Sequence, residues 1–400
     1  MSYKPFNMYD KNDTAFDAWG RPKIYQDLSL LHGVFTYNVP NSLWIIKENG
    51  TELLDNDTST KVYSSTINLG RLIVESGENA NDEGSLYSRR SPRYQPNRGH
   101  LFSTAVGFPN PTADGIRDFG LFNEENGVFY RLKADGLYAV IRSEGSDYEE
   151  KITIPFSIDL SKGNIYDIQF QWRGVGDYNF FIGNPESGKI ELVHKITFLN
   201  TLTEKLSISN PALPVGMKAT NITEAVSFWL GCFDVSSEGG SKVFFKYSQV
   251  GNDNINGTKI SNDKLYPVVA LKVNRTFNGR INTRDAILRR IILSAKDENR
   301  YEVQVTRDES AFSGTTWTNK GSFDNMQYSQ GTDISYTETQ YCHTILNGRS
   351  EIDIKNEIAT PVFDGSSDFT LTAGDYIVVL MKTDGTDKRA WASIEYTEEV

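Results

Sequence analysis

Asn126-Gly127-Val128-Phe129-Tyr130-Arg131-Leu132-Lys133-Ala134-Asp135-Gly136-Leu137-Tyr138-Ala139-Val140-Ile141 holds the pattern that organises the whole chain. Its two runs, Gly127 to Leu132 and Leu137 to Ile141, are rich in β-branched and aromatic residues. Each is opened by a dipeptide, Asn-Gly or Asp-Gly, suited to the positive φ of a hairpin turn. The same strand-and-turn unit recurs on either side. Val34 to Val39, Leu43 to Ile46, Leu69 to Val74, Ile165 to Trp172, Tyr178 to Ile182, Val226 to Leu230 and Val243 to Tyr247 are further short runs. Many short strands without strand-helix alternation predict a sandwich or jelly roll rather than a parallel sheet.

Composition agrees. The chain has 400 residues, 38% of them hydrophobic, and 20 Tyr, 22 Phe and 6 Trp punctuated by 32 Gly and 13 Pro. That is enough to bury a sizeable core, and the length favours two domains. The polar stretch from Gln249 to Lys264 reads as a linker. Beyond it a second set of strands is expected at Val268 to Val273, Tyr301 to Val305, Ile352 to Ile354, Phe369 to Leu371, Tyr376 to Met381 and Ala390 to Tyr396. Ile287, Leu288, Ile291 and Ile292 have helical spacing, but their all-strand surroundings favour a strand. The expected organisation is therefore all-β. An extended N-terminal arm (1–33) leads into a jelly-roll domain (34–248), a linker (249–265) and a smaller β-sandwich domain (266–400).

Charge and cysteine usage exclude several classes of function. A net charge of −11 repels phosphate backbones and anionic membrane surfaces, so neither nucleic acid nor membrane is an expected partner. Cys232 and Cys342 form neither a disulfide framework nor a zinc dyad, and His32, His100, His194 and His343 lack chelating spacing. Asn252, Asn254, Asn256 and Asp263 echo a calcium loop but lack its charged oxygens, and Gly174-Val175-Gly176 lacks the Lys-Ser/Thr of a phosphate cradle. No cofactor and no metal are expected. No run approaches the ~18 apolar residues of a membrane span, and the first residues lack a signal peptide's apolar stretch, so synthesis in the cytoplasm is expected.

The sharpest catalytic motif is incomplete. Glu351-Ile352-Asp353-Ile354 is similar to the Glu-x-Asp-x-Glu or Glu-x-Asp-x-x-Glu strand of a retaining jelly-roll glycoside hydrolase family, whose two working carboxylates stand ~5 Å apart. Lys355 and Asn356 occupy the positions of the third acid, so the acid/base partner is missing and no catalytic residue is assigned. Trp172, Trp229, Trp317 and Trp391 could stack on sugars, yet their strand positions equally suit a core. The basic stretch Arg89-Arg90-Ser91-Pro92-Arg93-Tyr94 has the Arg-aromatic mix of a nucleic-acid or a protein contact, the charge of −11 favours an acidic neighbouring subunit over nucleic acid, and solvated loop charges are an equal reading.

The order of segments carries a resemblance. Ala15-Phe16-Asp17-Ala18-Trp19-Gly20-Arg21-Pro22 is followed by Arg93-Tyr94-Gln95-Pro96 and by Phe119 to Tyr130. Asp167-Ile168-Gln169-Phe170-Gln171-Trp172-Arg173-Gly174-Val175-Gly176, His194-Lys195-Ile196 and Asn210-Pro211-Ala212-Leu213-Pro214-Val215 complete the series. Over roughly residues 14–250 the chain resembles a family of tailed-phage virion structural proteins, also met in large DNA viruses, that open with this arm and continue into a lectin-like jelly roll. The resemblance implies a non-enzymatic virion component that assembles with copies of itself and with other virion proteins, and it supplies no catalytic residues. On that reading Phe16, Trp19 and Arg21, with Arg89, Arg90 and Arg93, are candidate inter-subunit contacts. A carbohydrate-binding module directed at a host surface glycan is the alternative, and a polysaccharide depolymerase is third.

Overall fold

A computed structural model describes residues 28–35, 39, 43–53, 70–96, 98–202, 207–238, 245–251, 258–260, 266–295, 299–306, 317–319, 326–329, 340–346, 349–353, 369–383 and 388–399. Among them every regular element is a β-strand, and the chain divides into two compact units, residues 1–242 and 243–400. The protein is all-β, as expected.

The first unit carries β1 (Leu28–Val34), β2 (Trp44–Glu48), β3 (Thr51–Glu52), β4 (Leu72–Glu75), β5 (Glu83–Ser88), β6 (His100–Gly107), β7 (Gly115–Phe122) and β8 (Gly127–Lys133). It continues with β9 (Gly136–Ser143), β10 (Ser146–Lys151), β11 (Asn164–Phe170), β12 (Asp177–Asn184), β13 (Lys189–Thr197), β14 (Val215–Asn221) and β15 (Ser227–Ser237). They form two antiparallel sheets, a seven-stranded one ordered β1-β15-β6-β11-β12-β13 with β4 also on β15, and an eight-stranded one ordered β10-β9-β8-β7-β14-β5-β2-β3. The sheets pack through aromatic rings. Phe119 and Tyr130 of the eight-stranded sheet meet Tyr166 of the other at 5.1 and 5.3 Å, and Tyr130 also meets Phe180 at 5.1 Å. The buried Tyr130 hydroxyl donates to the Phe181 carbonyl at 2.8 Å, so the polar tip of this core ring is satisfied.

The opening hairpin forms where its punctuation places it, for two different reasons. Gly136 has φ 141°, a conformation that asks for glycine. Gly127 does not have positive φ; it is needed because a Cβ there would lie 2.4 Å from that of Phe122. The Asn126 side chain instead accepts from the backbone N–H and hydroxyl of Ser209, each at 2.9 Å, and so anchors the turn to a distant loop.

The second unit carries β16 (Phe245–Gly251), β17 (Thr258–Ile260), β18 (Tyr266–Val273), β19 (Thr276–Phe277), β20 (Arg280–Ile281), β21 (Ala286–Ala295) and β22 (Asn299–Thr306). Then come β23 (Thr318–Asn319), β24 (Met326–Ser329), β25 (Gln340–Leu346), β26 (Arg349–Asp353), β27 (Phe369–Leu371), β28 (Tyr376–Thr383) and β29 (Lys388–Glu399). One sheet is ordered β16-β29-β21-β26, with β17 on β29 and β27 on β21, and the other β23-β24-β18-β28-β22-β25. Their shared core is aliphatic, built from residues such as Val269, Leu271, Ile291, Leu293, Val379 and Ile394. The ambiguous segment is a strand, and a bulge explains its helical look. The register of β21 against β29 shifts between Leu288 and Arg290, so one inserted residue breaks the period of two.

Two expected boundaries are corrected. Residues 28–33, read as arm, belong to the sheet: β1 pairs with β15 from Leu28↔Ser237 to Val34↔Cys232. Gly33 hid this strand by interrupting the apolar run, yet a Cβ there would lie 2.4 Å from the Phe233 ring. Residues 249–265, read as linker, contain the end of β16 and all of β17, both paired with β29. Their polar composition suits strands that keep one face in solvent, with Gln249 exposed and Val250 buried.

Candidate functional site

Of the residues expected as docking contacts, only Arg89, Arg90 and Arg93 are among the described residues. Phe16, Trp19 and Arg21 lie outside the described residues. Arg89, expected to face a neighbouring subunit, is instead buried and donates to Glu52 at 2.9 Å. Arg90 and Arg93 are half-buried. The cause is Tyr94, which is buried with its ring 6.1 Å from Phe170 and edge-on to Trp172 at 5.7 Å, drawing the basic stretch into the sandwich.

The isolated histidines and tryptophans separate by burial. His100 is enclosed beside Tyr94 and Phe170, while His194 Nε2 meets Glu150 at 2.9 Å. Trp172 donates its indole N–H to Ile208 at 2.9 Å, Trp229 lies beneath Arg71 at 5.3 Å, and Trp317 packs on Tyr376 at 5.7 Å. Residues 252–257 and 261–263 of the calcium-like stretch lie outside the described residues. Among the described residues no group of three or more His, Cys, Asp or Glu could hold a metal ion.

Trp391 is different, because strand alternation turns it outward. In β29 the neighbours Ala390, Ala392, Ile394 and Tyr396 enter the core, which leaves Trp391, Ser393 and Glu395 on the opposite face. β21 and β16 extend that face on either side through Ser294↔Trp391, Ile292↔Ser393 and Gly251↔Ser393. Together Gln249, Gly251, Ile292, Ser294, Trp391, Ala392 and Ser393 line an open groove of about 400 Å³. The Gln249 amide donates to the Ser393 hydroxyl at 3.0 Å.

Next to the groove stands a charged triad. The Arg290 guanidinium and the Tyr247 hydroxyl both donate to Glu395, with one Arg290 contact at 3.2 Å. Burial pushes the Glu395 pKa up, but these donors outweigh it and hold the carboxyl below its ordinary range. Tyr247, exposed and hydrogen-bonded to that anion, is held above the usual phenol range. The site thus presents a half-buried indole, an amide, short hydroxyls and a fixed carboxylate on one sheet face. Its signal was present in the alternation of Trp391-Ala392-Ser393-Ile394-Glu395, but Gln249 and Ile292 are brought to it only by strand order.

The outward face of the eight-stranded sheet in the first unit is also aromatic and charged, but closed. Arg131 grips Asp118 with two bonds of 2.8 Å and also reaches Asp147 at 2.9 Å and Glu149. Arg142 holds Asp147 at 2.7 and 3.0 Å. Burial works against both guanidinium charges, and the carboxylates outweigh it, so both pKa values are raised. The two cations lie over Phe129 at 5.3 and 4.9 Å, covering the ring a ligand would need.

No family model matches the chain. No curated protein matches it either. Among solved structures it is similar to a glycosyl hydrolase family protein from Mycobacterium fortuitum, at 11% identity and a TM-score of 0.35, over 52% of this chain and 99% of that one. It is also similar to a β-1,3-glucanase from Mycobacterium marinum, at 12% identity and a TM-score of 0.35, over 52% of this chain and 98% of that one. A seed lectin isoform of Lotus tetragonolobus matches at 11% identity and a TM-score of 0.34, over 53% of this chain and 100% of that one. Similarity at this level does not bear on the site; the fold stands on the strand pairing given above.

Proposed function

We propose that this chain is a non-enzymatic recognition component of a virion whose second unit holds a surface glycan in the Trp391 groove. The observation that supports this reading is the groove itself, where an outward indole stands beside the Gln249 amide and the Ser294 and Ser393 hydroxyls. A sugar ring offers an apolar C–H face and a belt of hydroxyls, and a flat aromatic with a few short polar groups complements both. Glu395, kept ionised by Arg290 and Tyr247, suits acceptance of a sugar hydroxyl; a general acid would require a raised pKa. The virion setting rests on the resemblance over roughly residues 14–250.

One register supports the depolymerase alternative: Glu351 pairs with Ile292, a residue lining the groove. The two readings separate in one experiment on the full chain. A glycan array followed by calorimetry should show saturable binding that Trp391→Ala abolishes while cooperative melting is retained. Absence of saturable binding to any glycan would overturn the proposal and leave an architectural role. Release of reducing ends, abolished by Glu351→Gln, would replace recognition with hydrolysis.

A further inference from the structure

Residues 89–96 and 98–99 cross one end of the first unit, from β5 in the eight-stranded sheet to β6 in the seven-stranded one. The crossing is fastened at both ends. The Arg89 N–H donates to the Leu43 carbonyl at 3.0 Å, and the Gly99 carbonyl accepts from the Glu238 N–H at 2.9 Å. Between them the aromatic anchor is Tyr94, whose buried ring lies 5.2 Å from that of His100, the first residue of β6. Pro92 and Pro96 bring no N–H to this stretch, so its attachment leans on side-chain packing.

His100 is 1% exposed, with Phe170 edge-on at 5.7 Å. Its ring meets the Arg93 carbonyl, while Nε2 is buried without a hydrogen-bond partner. A neutral imidazole can leave that nitrogen bare, but an imidazolium would bury an N–H donor and a positive charge there. The charged and titratable groups around it offer no relief. Arg93, Tyr94 and Arg98 come from the crossing, Arg173 from the turn after β11, where it adjoins Tyr94, and Tyr178 from β12. Glu238, which follows the His100 partner Ser237 on β15, already accepts from the Gln169 amide.

We infer that this crossing is a strap that acid releases: protonation of His100 frees Tyr94 and its segment from the end of the sandwich while the two sheets stay paired. Opening gives the imidazolium water to bond. The ladders are spared, because none of the described residues between Ser88 and His100 belongs to a strand. Released, the strap presents Tyr94 with Arg93 and uncovers Phe170 and Trp172, the rings that Tyr94 now packs against. Burial holds the closed His100 down at about 4, against about 6.5 once it opens to water, so the open form gains about twentyfold between about pH 7 and about pH 5. The strap belongs to the first unit, and its release does not depend on glycan binding in the second.

A thiol reporter on the full chain tests it. In a Cys232→Ser/Cys342→Ser background, Ser91→Cys places a thiol of similar size on the strap, where Ser91 is 7% exposed, and Ala139→Cys places a reference thiol at a fully buried position of β9. Dithiodipyridine, which reacts with thiols at acid pH, should label Ser91→Cys about twentyfold faster at about pH 5 than at about pH 7, each rate taken relative to a free thiol. Ala139→Cys should stay far slower at both. His100→Phe should remove the rise, and so should His100→Gln, which keeps a neutral polar side chain if the phenyl ring is not accommodated. A Ser91→Cys rate that does not change with pH overturns the inference. So does labelling of both positions at one rate, which is unfolding of the whole unit, or a rise that persists in the His100 variants.

Discussion

Two outward sheet faces, the eight-stranded sheet of the first unit and the β16-β29-β21-β26 sheet of the second, use the same ingredients to opposite ends. Both set aromatic rings among arginines and carboxylates. On the first, Arg131 and Arg142 lie across Phe129 and are pinned there by Asp118, Asp147 and Glu149, so the rings are roofed by ion pairs. On the second, Arg290 turns aside to Glu395, and Trp391 remains at the wall of a groove. Placement of charge relative to the ring, rather than composition, separates a face that stabilises its own sheet from one that can receive a ligand.

The largest expected effect is on the closed face. Arg131→Met should destabilise the first unit by about 3–5 kcal/mol, because Asp118, 1% exposed, would be left as an unpaired buried charge. The double variant Arg131→Met/Asp118→Leu should recover much of this in chemical denaturation. A cost below about 1 kcal/mol for the single change would mean that the face is not a lock.

Acid comes next, and the interior of the same unit must be distinguished from its face. Burial lowers the His100 pKa to about 4, so the folded state holds a neutral imidazole. Its contribution is complete above the ordinary value of about 6.5 and is lost as pH falls toward 4, by about 2 kcal/mol between about pH 7 and about pH 5. His100→Phe should flatten that interval in denaturant titrations. Asp147 and Glu149 act lower. Burial raises them but the arginines and Lys133 outweigh it, so their stabilisation is present above the ordinary carboxylate range and lost as pH falls through their lowered values.

On the open face the same arginine-to-methionine change should matter less. Arg290 is 45% exposed and Glu395 keeps its bond from Tyr247, so Arg290→Met should cost about 1 kcal/mol by urea unfolding. A cost equal to that of Arg131→Met would erase the contrast between the faces. Smallest in stability is Gln249→Ala, expected within about 0.5 kcal/mol because the side chain is exposed. It should nevertheless weaken glycan binding measurably by calorimetry; unchanged affinity would remove Gln249 from the site.

Much of the architecture was readable from alternation alone. Val128, Tyr130 and Leu132 lie on one face of β8 and Phe129 and Arg131 on the other, as a period of two requires, although all five are buried and Phe129 joins a second cluster with Tyr87, Phe122 and Val140. Where a local exception intervened, reading became harder. The bulge in β21 imitated a helix through Ile287, Leu288, Ile291 and Ile292, and Gly33 split β1 from the sandwich because a glycine chosen for the Phe233 ring resembles a turn. The basic stretch misled for another reason. Arg89 is paired with Glu52, and nothing near Arg89 in the chain announces that partner.

The sequence by itself determined that this is an all-β protein and which side chains on most strands point inward. It determined the hairpin at Gly136 as well, since both properties depend on neighbours a few residues away. Only the tertiary structure decided that Gln249, Ile292 and Trp391 share a groove and that Arg131 and Arg142 close over Phe129. Those groupings depend on strand order and register between segments far apart in the chain, and alternation within a strand records neither.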